Sequence, residues 1–125
     1  MTNYYTLSRW EINGIEDNGG YLSEDFKKFA RTYRNFLNRM CKANNWELKQ
    51  FNTGHYYCSW FIFNGDKYIY CSFSDVRHFD KSWHSSILYR TAKSSSDYTG
   101  GSNWYTTLRC LELNIKKMFE RGFLW

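Results

Sequence analysis

Residues 55–75 decide the fold: His55-Tyr56-Tyr57-Cys58-Ser59-Trp60-Phe61-Ile62-Phe63-Asn64-Gly65-Asp66-Lys67-Tyr68-Ile69-Tyr70-Cys71-Ser72-Phe73-Ser74-Asp75. Two runs rich in aromatic and β-branched residues flank Asn64-Gly65, a dipeptide favoured in tight hairpin turns. Residues 55–63 and 67–75 therefore read as paired antiparallel strands. Side chains alternate along a strand, so Tyr56, Cys58, Trp60 and Ile62 share a face with Ile69, Cys71 and Phe73. The other face carries Tyr57, Ser59, Phe61 and Phe63 with Tyr68, Tyr70, Ser72 and Ser74. A two-residue and a four-residue turn differ in register by two, so both give these sets. The first set reads as core. The second mixes rings with hydroxyls.

Upstream of the hairpin the period changes. Ser23 is a good N-cap, and Glu24 and Asp25 place negative charge in a first helical turn, where the helix dipole favours it. From there to about Asn44, Phe26, Phe29, Ala30, Tyr33, Phe36, Leu37, Met40 and Cys41 fall on one helical face. Residues 46–52 form a candidate strand, as do 3–12 and 87–92. Asn13-Gly14 and Asp17-Asn18-Gly19-Gly20 mark an acidic loop, and residues 94–103 a polar one. A second helix is expected from near Trp104 to about Arg121, with Leu108, Leu111, Ile115, Met118 and Phe119 as its apolar stripe; the apolar tail Phe123-Leu124-Trp125 is expected to fold back or meet another copy. The expected class is α+β, a single domain over 1–125: an antiparallel sheet of three to five strands with two amphipathic helices, in the order β-α-β-β-β-(β)-α.

The chain has 125 residues, enough for one core, and aromatics make up 22% of it, so that core need not be aliphatic. No stretch approaches the roughly 18 apolar residues of a membrane span, and the N-terminus lacks the basic and apolar regions of a signal peptide. Cys41, Cys58, Cys71 and Cys110 form no Cys-x-x-Cys pair. They read as reduced thiols, mostly buried, and point to the cytoplasm; a four-cysteine zinc site is the alternative. No metal and no cofactor is expected, and no membrane partner.

The net charge of +5 is unevenly spread, with six bases and no acid between residues 26 and 45. Lys27, Lys28, Arg31, Arg34, Arg39 and Lys42 span about 140° of the helix circumference at 100° per residue. An unneutralised row of cations matches the footprint of phosphate binding, and it equally fits an acidic protein surface or a solvated helix face. Tyr57, Phe61, Tyr68 and Tyr70 are the candidate stacking face for nucleic-acid bases; the alternative is that a loop, the tail or a second copy covers these rings.

The polar stretch 75–103 offers a candidate anion pocket: Arg77, His78, Arg90 and Lys93 as countercharge, with Gly100, Gly101, Ser102 and Asn103 leading into the expected helix. Its loop matches neither the P-loop nor the dinucleotide fingerprint, and a turn followed by a helix cap explains it as well. His78 beside Asp75 or Asp80, with His84 or Tyr98, is the candidate proton-moving group of a small enzyme. No nucleophile elbow or paired-histidine motif accompanies it, so no catalytic residue is assigned.

Ser74-Asp75-Val76-Arg77, Tyr89-Arg90-Thr91-Ala92-Lys93 and Asp97-Tyr98-Thr99-Gly100-Gly101 resemble segments of small accessory proteins encoded by phages and plasmids of AT-rich bacteria. The richness in Lys, Asn and Tyr and the lack of proline suit that source. These segments cover part of the chain and point to no single family. Anti-defence proteins, including inhibitors of CRISPR systems, belong to this population, and many are acidic mimics of nucleic acid. This basic chain departs from them, so the resemblance implies an inhibitor that occupies phosphate-facing or acidic surfaces through its basic helix. The expected function is a non-enzymatic binding module for nucleic acid or a nucleoprotein complex. The alternatives are a nucleotide- or anion-binding protein or small enzyme centred on 75–103, and a protein–protein inhibitor or homo-oligomer using the aromatic sheet face.

Overall fold

The computed structural model describes residues 24–54, 57–74, 87–98 and 102–121. The helical period after Ser23 becomes helix α1, Glu24–Ala43. Phe26, Phe29, Tyr33, Phe36, Leu37, Met40 and Cys41 are buried, each at 2% exposure or less. Each large apolar side chain so buried contributes about 1.5–3 kcal/mol. Asn45 ends the helix in the left-handed region at φ 58°, in the place usually taken by glycine. There Trp46 N–H donates to the Cys41 carbonyl (2.8 Å) and Asn45 N–H to that of Lys42 (3.3 Å). Both bonds belong to the Schellman pattern, which satisfies carbonyls the helix leaves over.

The chain then runs through β1 (Glu47–Thr53), β2 (Cys58–Phe63), β3 (Tyr68–Phe73), β4 (Ile87–Ala92) and β5 (Trp104–Thr106) before helix α2 (Leu111–Glu120). The five strands form one antiparallel sheet in sequential order. The α+β class with two helices is thus observed. The expected strand at 3–12, the acidic loop, Ser23, residues 75–86 and the tail at 123–125 lie outside the described residues.

The hairpin pairs Phe63 with Tyr68 and Cys58 with Phe73. Its turn pivots on Gly65-Asp66, one residue later than Asn64-Gly65. Gly65 takes φ 97°, and the Asn64 side-chain oxygen accepts the N–H groups of Asp66 (2.9 Å) and Lys67 (2.7 Å). This moves the register by two residues and leaves both faces unchanged. Cys58, Trp60, Ile62, Ile69, Cys71 and Phe73 join α1, α2, Ile87 and Tyr89 in a single core, so both helices pack on that face. At its centre the Tyr33 ring meets Phe29, Phe36, Trp60 and Phe73 at centroid distances of 5.3–5.7 Å.

Two elements differ from expectation. Residues 104–106 are strand, because Trp104-Tyr105-Thr106 extend the sheet by pairing with Tyr89, Leu88 and Ile87. The helix begins only at Leu111, after a turn in which Thr107 Oγ1 accepts the Cys110 N–H at 3.1 Å. Asn114 Nδ2 donates to Thr106 Oγ1 (2.7 Å), fastening α2 to β5, and Asn44 Nδ2 donates to Glu112 (2.6 Å), fastening it to the end of α1.

Candidate nucleic-acid interface

Strand β1 opposes β2 with one residue too many. Lys49 pairs with Phe61 and Asn52 with Ser59, leaving Gln50 and Phe51 opposite Trp60. Gln50 absorbs this bulge in the left-handed region at φ 50°. A bulge interrupts the two-residue alternation of side chains. Leu48 and Phe51, three residues apart, both pack against the core. Phe51 lies 6.4 Å from the Trp60 ring and beneath Arg34 of α1, whose guanidinium carbon is 5.9 Å from the ring centre.

Between α1 and β1 the surface forms an open groove of about 270 Å³. Lys27, Arg31 and Arg34 line its helical wall together with Phe26 and Ala30, and Phe51 and Thr53 line it from the strand. The three cations occupy positions i, i+4 and i+7, a ridge about 10 Å long at 1.5 Å per residue. Lys28, Arg39 and Lys42 continue the exposed basic face outside the groove. Among the described residues no carboxylate pairs with Arg31, Arg34, Arg39 or Lys42. Lys49 differs: it donates to Glu47 at 2.7 Å, and that bond holds its ammonium above the usual lysine range.

The candidate stacking residues share one sheet face but not one environment. Tyr57 is exposed, Tyr68 and Tyr70 are half-buried, and Phe61 is fully buried. The Tyr57 ring lies against Gly54, where an added Cβ would collide with it. Tyr98, from the polar loop, stands edge-on over Phe61 (5.3 Å) and Tyr70 (5.6 Å). A loop therefore covers the middle of this face, and Phe61 presents no free ring to a base.

The candidate anion-pocket residues are dispersed. Arg90 is buried on the same outer face, paired with Tyr70 in the β3–β4 ladder. Lys93 is exposed just beyond β4, its backbone N–H donating to Asp97 at 2.9 Å. Ser102 and Asn103 are exposed immediately before β5. Arg77, His78, Gly100 and Gly101 lie outside the described residues, as do Asp75, Asp80 and His84. The thiols of Cys41, Cys58 and Cys71 are core groups and Cys110 is exposed. Among the described residues no three His, Cys, Asp or Glu side chains cluster as metal ligands, and no helix is long and apolar enough to cross a membrane.

Phe51 and Thr53 are the groove residues that sequence reasoning missed. Nothing in Lys49-Gln50-Phe51-Asn52 announces a bulge, since glutamine has no preference for the left-handed region. The chain matches no protein-family model, no curated protein and no solved structure.

Proposed function

We propose that the protein is a non-enzymatic binding module for single-stranded nucleic acid, gripping the strand in the groove between α1 and β1. One observation carries this reading: Lys27, Arg31 and Arg34 face the ring of Phe51 across one open groove. Single strands are held by the same combination, a positive track for the phosphates and an aromatic face for a base. Lys28, Arg39 and Lys42 extend the phosphate track beyond the groove. Such contacts position a backbone without reading sequence. In the anti-defence setting implied by the resemblance, the same face would occupy the strand-binding surface of a nucleoprotein complex.

The test is fluorescence anisotropy with labelled single-stranded DNA and RNA of mixed sequence, at low salt. Wild-type protein binds both. The Arg31→Glu/Arg34→Glu variant, altered only at exposed positions, keeps its circular dichroism spectrum and loses most of its affinity. Equal affinity of variant and wild type would overturn the reading.

A further inference from the structure

Arg90 sits on the sheet face turned away from the helices, with its guanidinium carbon 4.3 Å from the centre of the Tyr70 ring. It is 7% exposed. Its Nε and Nη2 are buried with no hydrogen-bond partner, and among the described residues no carboxylate pairs with it. These two nitrogens form one edge of the guanidinium plane, and their N–H bonds point the same way. That edge is the fork that takes both oxygens of a carboxylate or phosphate group. A cation withdrawn from water and left unpaired is costly. A water molecule would satisfy a donor and leave the charge; an oxyanion answers both.

The fork has rings beside it. Phe61 and Tyr70 pack at 5.1 Å, and Tyr98 meets both edge-on while remaining 48% exposed. Tyr98 follows Asp97, whose carboxylate holds the loop by accepting the Lys93 N–H. It is thus an exposed ring resting on an aromatic floor next to a guanidinium whose Nε and Nη2 have no hydrogen-bond partner.

We propose that Arg90 is the binding residue of an oxyanion site for a small ligand that carries both a phosphate or carboxylate group and an aromatic ring. The Nε/Nη2 fork takes the oxyanion. The ligand's ring packs against the exposed ring of Tyr98. The site lies on the opposite side of the sheet from α1 and does not depend on nucleic-acid binding there.

The test follows the Arg90 Nε–Hε correlation in ¹⁵N-labelled full-length protein, assigned with Arg90→Lys, during titration with inorganic phosphate, acetate, adenosine monophosphate and benzoate. Saturable shifts are expected with adenosine monophosphate or benzoate at concentrations at least tenfold below those of phosphate or acetate, and whichever ring-bearing probe saturates identifies the preferred oxyanion. Arg90→Lys, which keeps the charge and loses the fork, weakens that binding about tenfold. Tyr98→Ala, at an exposed position, changes the affinity for the ring-bearing probe and not for phosphate. Arg31→Glu/Arg34→Glu leaves all of these unchanged. The absence of a saturable Arg90 shift with every probe in wild-type protein would overturn the proposal, as would equal affinity for the bare anions and the ring-bearing probes.

Discussion

Arg34 of α1 holds its guanidinium carbon 5.9 Å from the ring centre of Phe51 in β1, and the bulge at Gln50 is what brings that ring there. A cation from the helix and a ring from the strand thus meet at the mouth of one groove. The helical pattern fixes the first, and a local break in strand alternation fixes the second.

Phe51→Ala tests the ring. Base–aromatic stacking contributes about 1–3 kcal/mol per base by alanine substitution. The variant should bind single-stranded oligonucleotides roughly 5- to 150-fold more weakly than wild type at fixed salt, while Arg34→Lys, which keeps the charge, loses less. Anisotropy titrations measure both. Unchanged affinity in Phe51→Ala would leave the groove a purely electrostatic surface.

Tyr33→Phe tests the core. The Tyr33 ring is fully buried and meets the Trp60 indole edge-on at 5.3 Å. Tyr33→Phe keeps the ring and its packing, and is expected to stay closer to wild-type stability in urea denaturation than Tyr33→Ala. Tyr33→Ala, which empties the centre of the aromatic cluster, should cost about 3–5 kcal/mol, the range for deleting a buried ring. A loss in Tyr33→Phe as large as in Tyr33→Ala would mean that the hydroxyl, not the ring, holds the core.

The hairpin turn depends on Gly65. At φ 97° with nothing within 4 Å of a would-be Cβ, Gly65→Ala meets no neighbour and suffers only backbone strain, about 1–2 kcal/mol. Gly65→Asn is expected to lose less, since asparagine tolerates positive φ. Denaturation midpoints give the order wild type, Asn, Ala.

Thiol chemistry reports on burial. Cys110 is the exposed cysteine, and native protein should react with one equivalent of a thiol reagent, rising to four on unfolding. Burial pushes the Cys41 thiol from 9.0 up to about 12, and it raises Cys58, Cys71 and Tyr33 in the same direction. The folded state therefore keeps protons that the unfolded chain releases. Stability from these groups is fully present below pH 9 and falls as pH rises from 9 towards 12. Urea denaturation across that range should show a declining midpoint.

The parts of the fold legible in the sequence are those where one periodicity governs. The two faces of α1 separate because apolar and basic residues alternate at helical spacing. The hairpin faces survive a misplaced turn because the shift was two residues, an even number. Trp104-Tyr105-Thr106 shows the converse: the apolar stripe beginning at Leu108 suggests a helix there, and pairing with β4 outweighs it. At the site, the six cations were visible in the sequence. Phe51 was not, because its direction depends on a left-handed glutamine. The covering of Phe61 by Tyr98 depends on a contact between residues 37 positions apart in the chain.

The salt dependence of oligonucleotide binding tests the central claim most directly. For single strands, log Kobs falls against log salt with a slope of about −0.7 per phosphate neutralised. Three groove cations give a slope near −2, and all six basic residues of α1 give one near −4. Arg31→Ala/Arg34→Ala should bring the slope about 1.4 closer to zero. Absence of binding at low salt, or a slope that the double variant leaves unchanged, would contradict the assignment of α1 as the phosphate track.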